Sequence, residues 1–121
     1  MQRAIPPDLS RAGQAASGSA LQHEAVGDLH FAADNYVGAI ESYRAALSDL
    51  GAAAPGERAR LMLRVAVAQF PAGDLDPSLE TAHAARETAR LHGNPRLTAA
   101  IASRLAVVLA ELAHYRAAQR Y

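Results

Sequence analysis

Ala39, Ser78 and Ala118 hold the same place in three successive stretches of this chain, 39 and 40 residues apart. Around each of them, apolar and small residues return at three- and four-residue steps, the period of an α-helix that buries one face. A unit of this length is a pair of helices, and it cannot bury its apolar stripe alone. Successive pairs must therefore stack on one another. The expectation is an all-α chain built as an array of helical hairpins.

Composition supports thin, closely packed interfaces. Ala supplies 30 of the 121 residues, and half the chain is hydrophobic although aromatics make up only 5%. Ala is the strongest helix former and buries little area per residue. With no Cys in the chain, disulfides, thiolate metal sites and Cys nucleophiles are excluded. All 12 basic residues are Arg, so lysine Schiff-base chemistry and a P-loop lysine are excluded as well. The formal net charge is zero, yet residues 1–50 carry three Arg against six acids and residues 51–121 carry nine against six. The module is thus bipolar rather than basic, which argues against direct nucleic-acid binding. The apolar run Ala99–Ala110 is short and holds Ser103 and Arg104, so no membrane span is expected. No basic stretch followed by an apolar one marks a signal peptide, and a cytoplasmic location is expected.

Residues 1–18 read as a flexible or weakly helical leader, with Pro6-Pro7, Gly13, Ser17 and Gly18 opposing helix. Residues 19–121 form the repeat domain. Its first helix carries an apolar stripe at Leu21, Ala25, Val26, Leu29 and Ala32–Ala33. Asn35 is the predicted N-cap of the second helix, which carries Tyr36, Ala39, Ile40, Tyr43, Ala46 and Leu47 and ends at Gly51. A third helix is predicted over 58–70, with Pro71 as its terminator. A fourth runs from Leu75 to about His92. Asn94-Pro95 then reads as a cap followed by Pro at the first helical position of a fifth helix, over 95–112. Ala113-His114 should lead into a sixth, Tyr115–Tyr121.

No catalytic, cofactor-binding or metal site is expected. The five His include no pair at the i, i+4 spacing of a helical zinc site. Glu24 and Asp28 do stand four apart, but like charges at that spacing commonly form a solvated face. No Ser lies in a recognisable arrangement with His, and no Gly-rich phosphate loop occurs.

The spacing and residues of "GDLHFAADNYVGAIESYRAAL" resemble the tetratricopeptide repeat, whose pattern runs Trp-x2-Leu-Gly-x2-Tyr, then Ala-x3-Phe, then Pro. The first repeat offers His23, Val26, Gly27 and His30, then Ala39 and Tyr43. Ala66 and Ala106 stand at the Gly position of the second and third. His replaces the Trp and Tyr, Gly51 stands where Pro closes a repeat, and the period exceeds the usual 34 residues. Longer repeats of this kind resemble those of bacterial signalling and regulatory proteins. The resemblance implies an α-α superhelix of two full repeats and a truncated third. It also implies a non-catalytic scaffold role, with a peptide or partner helix held in a concave groove lined by the first helix of each pair.

By that resemblance the groove-facing residues include Glu24, Asp28, Phe31, Arg60, Arg64, Val67, Phe70, Ser103, Arg104 and Val107, with Leu21, Leu63 and Glu111 beside them. Arg can grip a carboxylate bidentately and Phe can anchor a partner, or Phe31 and Phe70 simply pack between helices. The carboxylate clamp of co-chaperone repeats is matched only at Arg104, since Glu24, Asp28, Arg64 and Ala100 occupy its other positions. A chaperone-tail adaptor is therefore not expected. A sixth helix confined to Tyr115–Tyr121 leaves the face Ile101, Leu105, Val108, Leu109 and Leu112 without cover. That suggests a piece of a longer array, or a homodimer through the C-terminal helix. A self-assembling module and an enzyme's helical accessory domain are the alternative functions.

Overall fold

The computed structural model describes residues 7–51, 54–92 and 95–119. Every regular element among them is an α-helix: α1 (Pro7–Ala32), α2 (Tyr36–Leu50), α3 (Pro55–Gln69), α4 (Leu75–His92) and α5 (Pro95–Gln119). Local chemistry sets most boundaries. The Asn35 side-chain oxygen accepts the Gly38 N–H at 3.1 Å and caps α2. Gly51, at φ 61°, ends that helix and returns its N–H to the Leu47 and Ser48 carbonyls; the left-handed conformation suits a residue without Cβ. Arg58 donates to the carbonyls of Leu47 and Gly51, so α3 helps to close α2. α3 begins at Pro55, three residues before the expected start, because Pro is preorganised for the first helical turn. It ends just before Pro71, and α5 opens on Pro95. The expected cap at Asn94 lies outside the described residues, as do residues 1–6 of the leader and Tyr121.

Side-chain pairs give the helix directions. Gly27 meets Tyr43 and His23 meets Asp49, so α1 and α2 are antiparallel. Ser78 bonds the Ala66 carbonyl and Thr88 meets Met62, so α3 and α4 are too. Thr98 reaches the Ala89 carbonyl and Arg116 reaches Asp76, placing α5 against α4 the same way. By contrast, Glu24–Arg60 and Asp28–Arg64 both advance by 36 residues, so α1 and α3 are parallel neighbours. Each helix packs on the next, and α3 also touches α5. The odd-numbered helices thus share one direction and the even-numbered ones the other.

Small residues let these helices close up. Ala39, Ala46, Ala59, Ala66, Ala68, Ala82 and Ala85 are fully buried. Ser78, the counterpart of Ala39, is fully buried as well and spends its hydroxyl on the Ala66 carbonyl at 2.7 Å. α3 is central: Leu61, Val65 and Ala68 face α1 and α2, whereas Ala59 and Leu63 face α4 and α5.

Several expectations are corrected. α1 runs unbroken from Pro7 through Gly13, Ser17 and Gly18, so the leader and the first repeat share a helix. Its packed face is not the predicted apolar stripe: Leu21 and Leu29 are 64% and 72% exposed, while Ala20, Glu24 and Gly27 are buried. A glycine and an alanine admit the neighbouring helix where leucine would hold it off. The sixth helix does not form, since α5 continues to Gln119 with no turn at Ala113-His114. Ala118 is therefore exposed on α5 and is no counterpart of Ala39. Nor is the predicted face of the fifth helix bare: Ile101, Leu105, Val108 and Leu112 are buried, packed into the clusters formed with α3 and α4. The basis for a dimer through that face is thereby removed.

Candidate functional site

Because α1, α3 and α5 run in one direction along one side, the side chains they turn outward share a surface. Between them lies a groove of about 550 Å³. Its apolar bed is Phe31, Leu63, Val67 and Ile101, and its polar lining is Asp28, Tyr43, Arg60, Arg64 and Arg104. The volume falls within the range of ligand pockets.

The polar side chains on the α1 and α3 side are committed to one another. Glu24 sits beneath the surface, 8% exposed, where an isolated carboxylate would be costly. Arg60 meets it bidentately, with Nη2 at 2.8 Å from Oε1, and shares that nitrogen with Glu57 at 2.7 Å. The Arg64 Nε lies 3.0 Å from the second Glu24 oxygen, while its Nη1 donates to Asp28 at 2.7 Å. The same Asp28 oxygen accepts the Tyr43 hydroxyl at 2.5 Å. One connected network therefore pins α1 to α3 and α2 to α1.

Electrostatics follow from this arrangement. The hydrogen bond from Arg60 holds Glu24 below the ordinary carboxylate range, outweighing burial, and the charge of Arg64 adds to it. Reciprocally, the bond to Glu24 raises Arg60. Burial, with the Asp28 carboxylate beside it, pushes the Tyr43 hydroxyl up to about 12. Arg104 stands apart. It lines the groove and is exposed, and among the described residues no hydrogen bond or ion pair engages it.

Of the ten candidate residues, Asp28, Phe31, Arg60, Arg64, Val67 and Arg104 come together around the groove. Glu24 lies beneath it as the counter-ion of both arginines. Phe70 turns to the α5 side and meets Tyr115 edge-on, with ring centroids 5.4 Å apart. Phe31 makes a similar contact with Tyr36 at 5.5 Å while still lining the groove. Ser103 and Val107 are exposed on α5 outside the cavity itself. Sequence reasoning missed Ile101, which it assigned to the uncovered face of the fifth helix, and Tyr43, which belongs to a second helix yet reaches the groove. The signal was Gly27, whose missing side chain leaves room for that ring: an added Cβ would lie 2.6 Å from it.

Among the described residues, no three His, Cys, Asp or Glu side chains are grouped to hold a metal ion. His23 is engaged by Asp49 at 2.6 Å and His30 by Asn35 at 3.0 Å. No helix among them is long and apolar enough to cross a membrane. Comparison of the chain with protein-family models, with curated proteins and with solved structures gives no match.

Proposed function

We propose that this protein is a non-catalytic interaction module, whose α1–α3–α5 groove receives a segment of a protein partner within a larger cytoplasmic regulatory or scaffolding assembly. The observation that carries this reading is the groove itself. An apolar bed lies open between three like-directed helices, and the ion network of Glu24, Asp28, Arg60 and Arg64 holds two of them in place without a ligand. A preformed surface of this kind binds without the cost of ordering it first. The tetratricopeptide-like reading belongs to the same proposal. Its support is the antiparallel pairing of consecutive helices and the shared buried position of Ala39 and Ser78.

Site-specific photocrosslinking tests it. A crosslinking residue at Ala100, on the groove wall, should capture a discrete partner from the source cells, while one at the exposed Glu41 of α2 should not. Equal capture from both positions, or none from either, would refute the proposal.

A further inference from the structure

We infer that the groove's occupant is an amphipathic α-helix carrying an acidic side chain opposite Arg104. This rests on the groove being the binding surface and deepens that reading. An extended peptide exposes an N–H and a C=O at every residue, and each such group, if buried without a partner, is costly. Among the described residues the groove lining contains no Asn, Gln, Ser or Thr to meet them. Its Asp28, Tyr43, Arg60 and Arg64 are already bonded within the network. A helix satisfies its own backbone and asks the groove only for apolar contact.

The surface has the matching shape. Leu63 and Val67 are one turn apart on α3, with Phe31 and Ile101 on either side. Leu21, two turns before Asp28 on the same face of α1, is exposed; so is Val107, seven positions after Ala100 on α5. Because α1 and α5 are parallel, these two lie beyond opposite ends of the groove, Leu21 lining a neighbouring cavity that shares Arg60 with it. From Leu21 to Ala32 is about 16 Å along the axis, the length of a helix of about 11 residues. Charge decides the remaining contact. Arg60 and Arg64 are neutralised by Glu24, Glu57 and Asp28, so of the three arginines lining the groove Arg104 is the one with no partner among the described residues. A carboxylate on the flank of the bound helix supplies that partner, in the bidentate geometry guanidinium favours.

The test is selection from a random peptide library of about 15 residues on the full chain and, in parallel, on Arg104→Glu. The substitution removes no bond of the folded protein, and circular dichroism checks that the fold is intact. The expected result from the wild-type chain is peptides with apolar residues at i, i+3 or i+4, and i+7 plus a flanking Asp or Glu, helical when bound. Selection on Arg104→Glu should replace that acid by Lys or Arg, and the wild-type peptides should bind the variant at least about tenfold more weakly. Proline-rich or strictly alternating peptides that compete for the groove would overturn the helix while leaving the groove reading intact. Identical peptides from both proteins would overturn the role of Arg104. A wild-type chain that is dimeric by light scattering, and monomeric as Arg104→Glu, would make the occupant a second copy and overturn the proposal. No enrichment on either protein would bring down the peptide-binding reading itself.

Discussion

Gly27→Ala is the sharpest probe of how α1 and α2 are held together. In most helix interiors this substitution stabilises, because Ala is better than Gly by about 1 kcal/mol. Here the new Cβ would lie 2.6 and 2.7 Å from two carbons of the Tyr43 ring and 3.1 Å from a third. Comfortable carbon–carbon contact is about 3.5 Å or more, so the ring has to move by about 1 Å. It has little freedom to do so, being 2% exposed and tied by its hydroxyl to Asp28 at 2.5 Å. Overpacking of this kind costs about 1–3 kcal/mol. Set against the propensity gain, the net expectation is a loss of up to about 2 kcal/mol, where an unobstructed site would gain. Urea unfolding followed by far-UV circular dichroism measures it. Gly18→Ala is the control, since nothing lies within 4 Å of a Cβ there; it should stabilise by up to about 1 kcal/mol. In a Tyr43→Phe background the ring is free of Asp28, so the Gly27→Ala penalty should shrink. If both glycine variants stabilise alike, the close α1–α2 packing described here is wrong.

Glu24→Gln leaves Arg60 with Glu57 and Arg64 with Asp28, so its cost should be about 2 kcal/mol, less than for a fully buried pair. The Glu24 pKa is depressed below its ordinary value of 4.5, so its contribution is complete above that value and is lost as the pH falls through the folded-state pKa. Urea midpoints measured from pH 6 down to pH 3 should therefore fall more steeply for the wild-type chain than for Glu24→Gln. Tyr43 behaves in the opposite sense. With its hydroxyl pushed up to about 12, stability should decline as the pH rises above 10, and ultraviolet titration should show a late tyrosinate step that vanishes in Tyr43→Phe. Ser78→Ala should cost only about 1 kcal/mol by thermal melting, because the Ala66 carbonyl keeps its bond from the Phe70 N–H.

Much of the helix layout was legible from residues acting over a few positions. Asn35 caps, Gly51 takes a left-handed conformation, Pro71 ends a helix and Pro95 starts one, each for reasons contained in its own backbone and nearest neighbours. Six of the ten candidate residues met at one groove for a related reason: positions seven apart, such as Arg60 and Val67, share a face of a helix wherever that helix lies. That Glu24 lies under the groove and Phe70 packs against Tyr115 depended on how tightly neighbouring helices approach.

By itself, then, the sequence determined an all-α chain, the turns that punctuate it and the helix faces from which a groove could be made, because caps, prolines and helical periodicity act locally. The tertiary structure alone decided which face of α1 is inside, that α5 runs on through Ala113-His114, and which arginines are already paired. Apolar and small residues lie on several sides of α1 and α5, so periodicity offers more than one packed face. The choice falls to the fit between helices: Gly27 admits the Tyr43 ring, and Glu24 brings Arg60 and Arg64 onto α1, leaving Arg104 exposed on the groove wall.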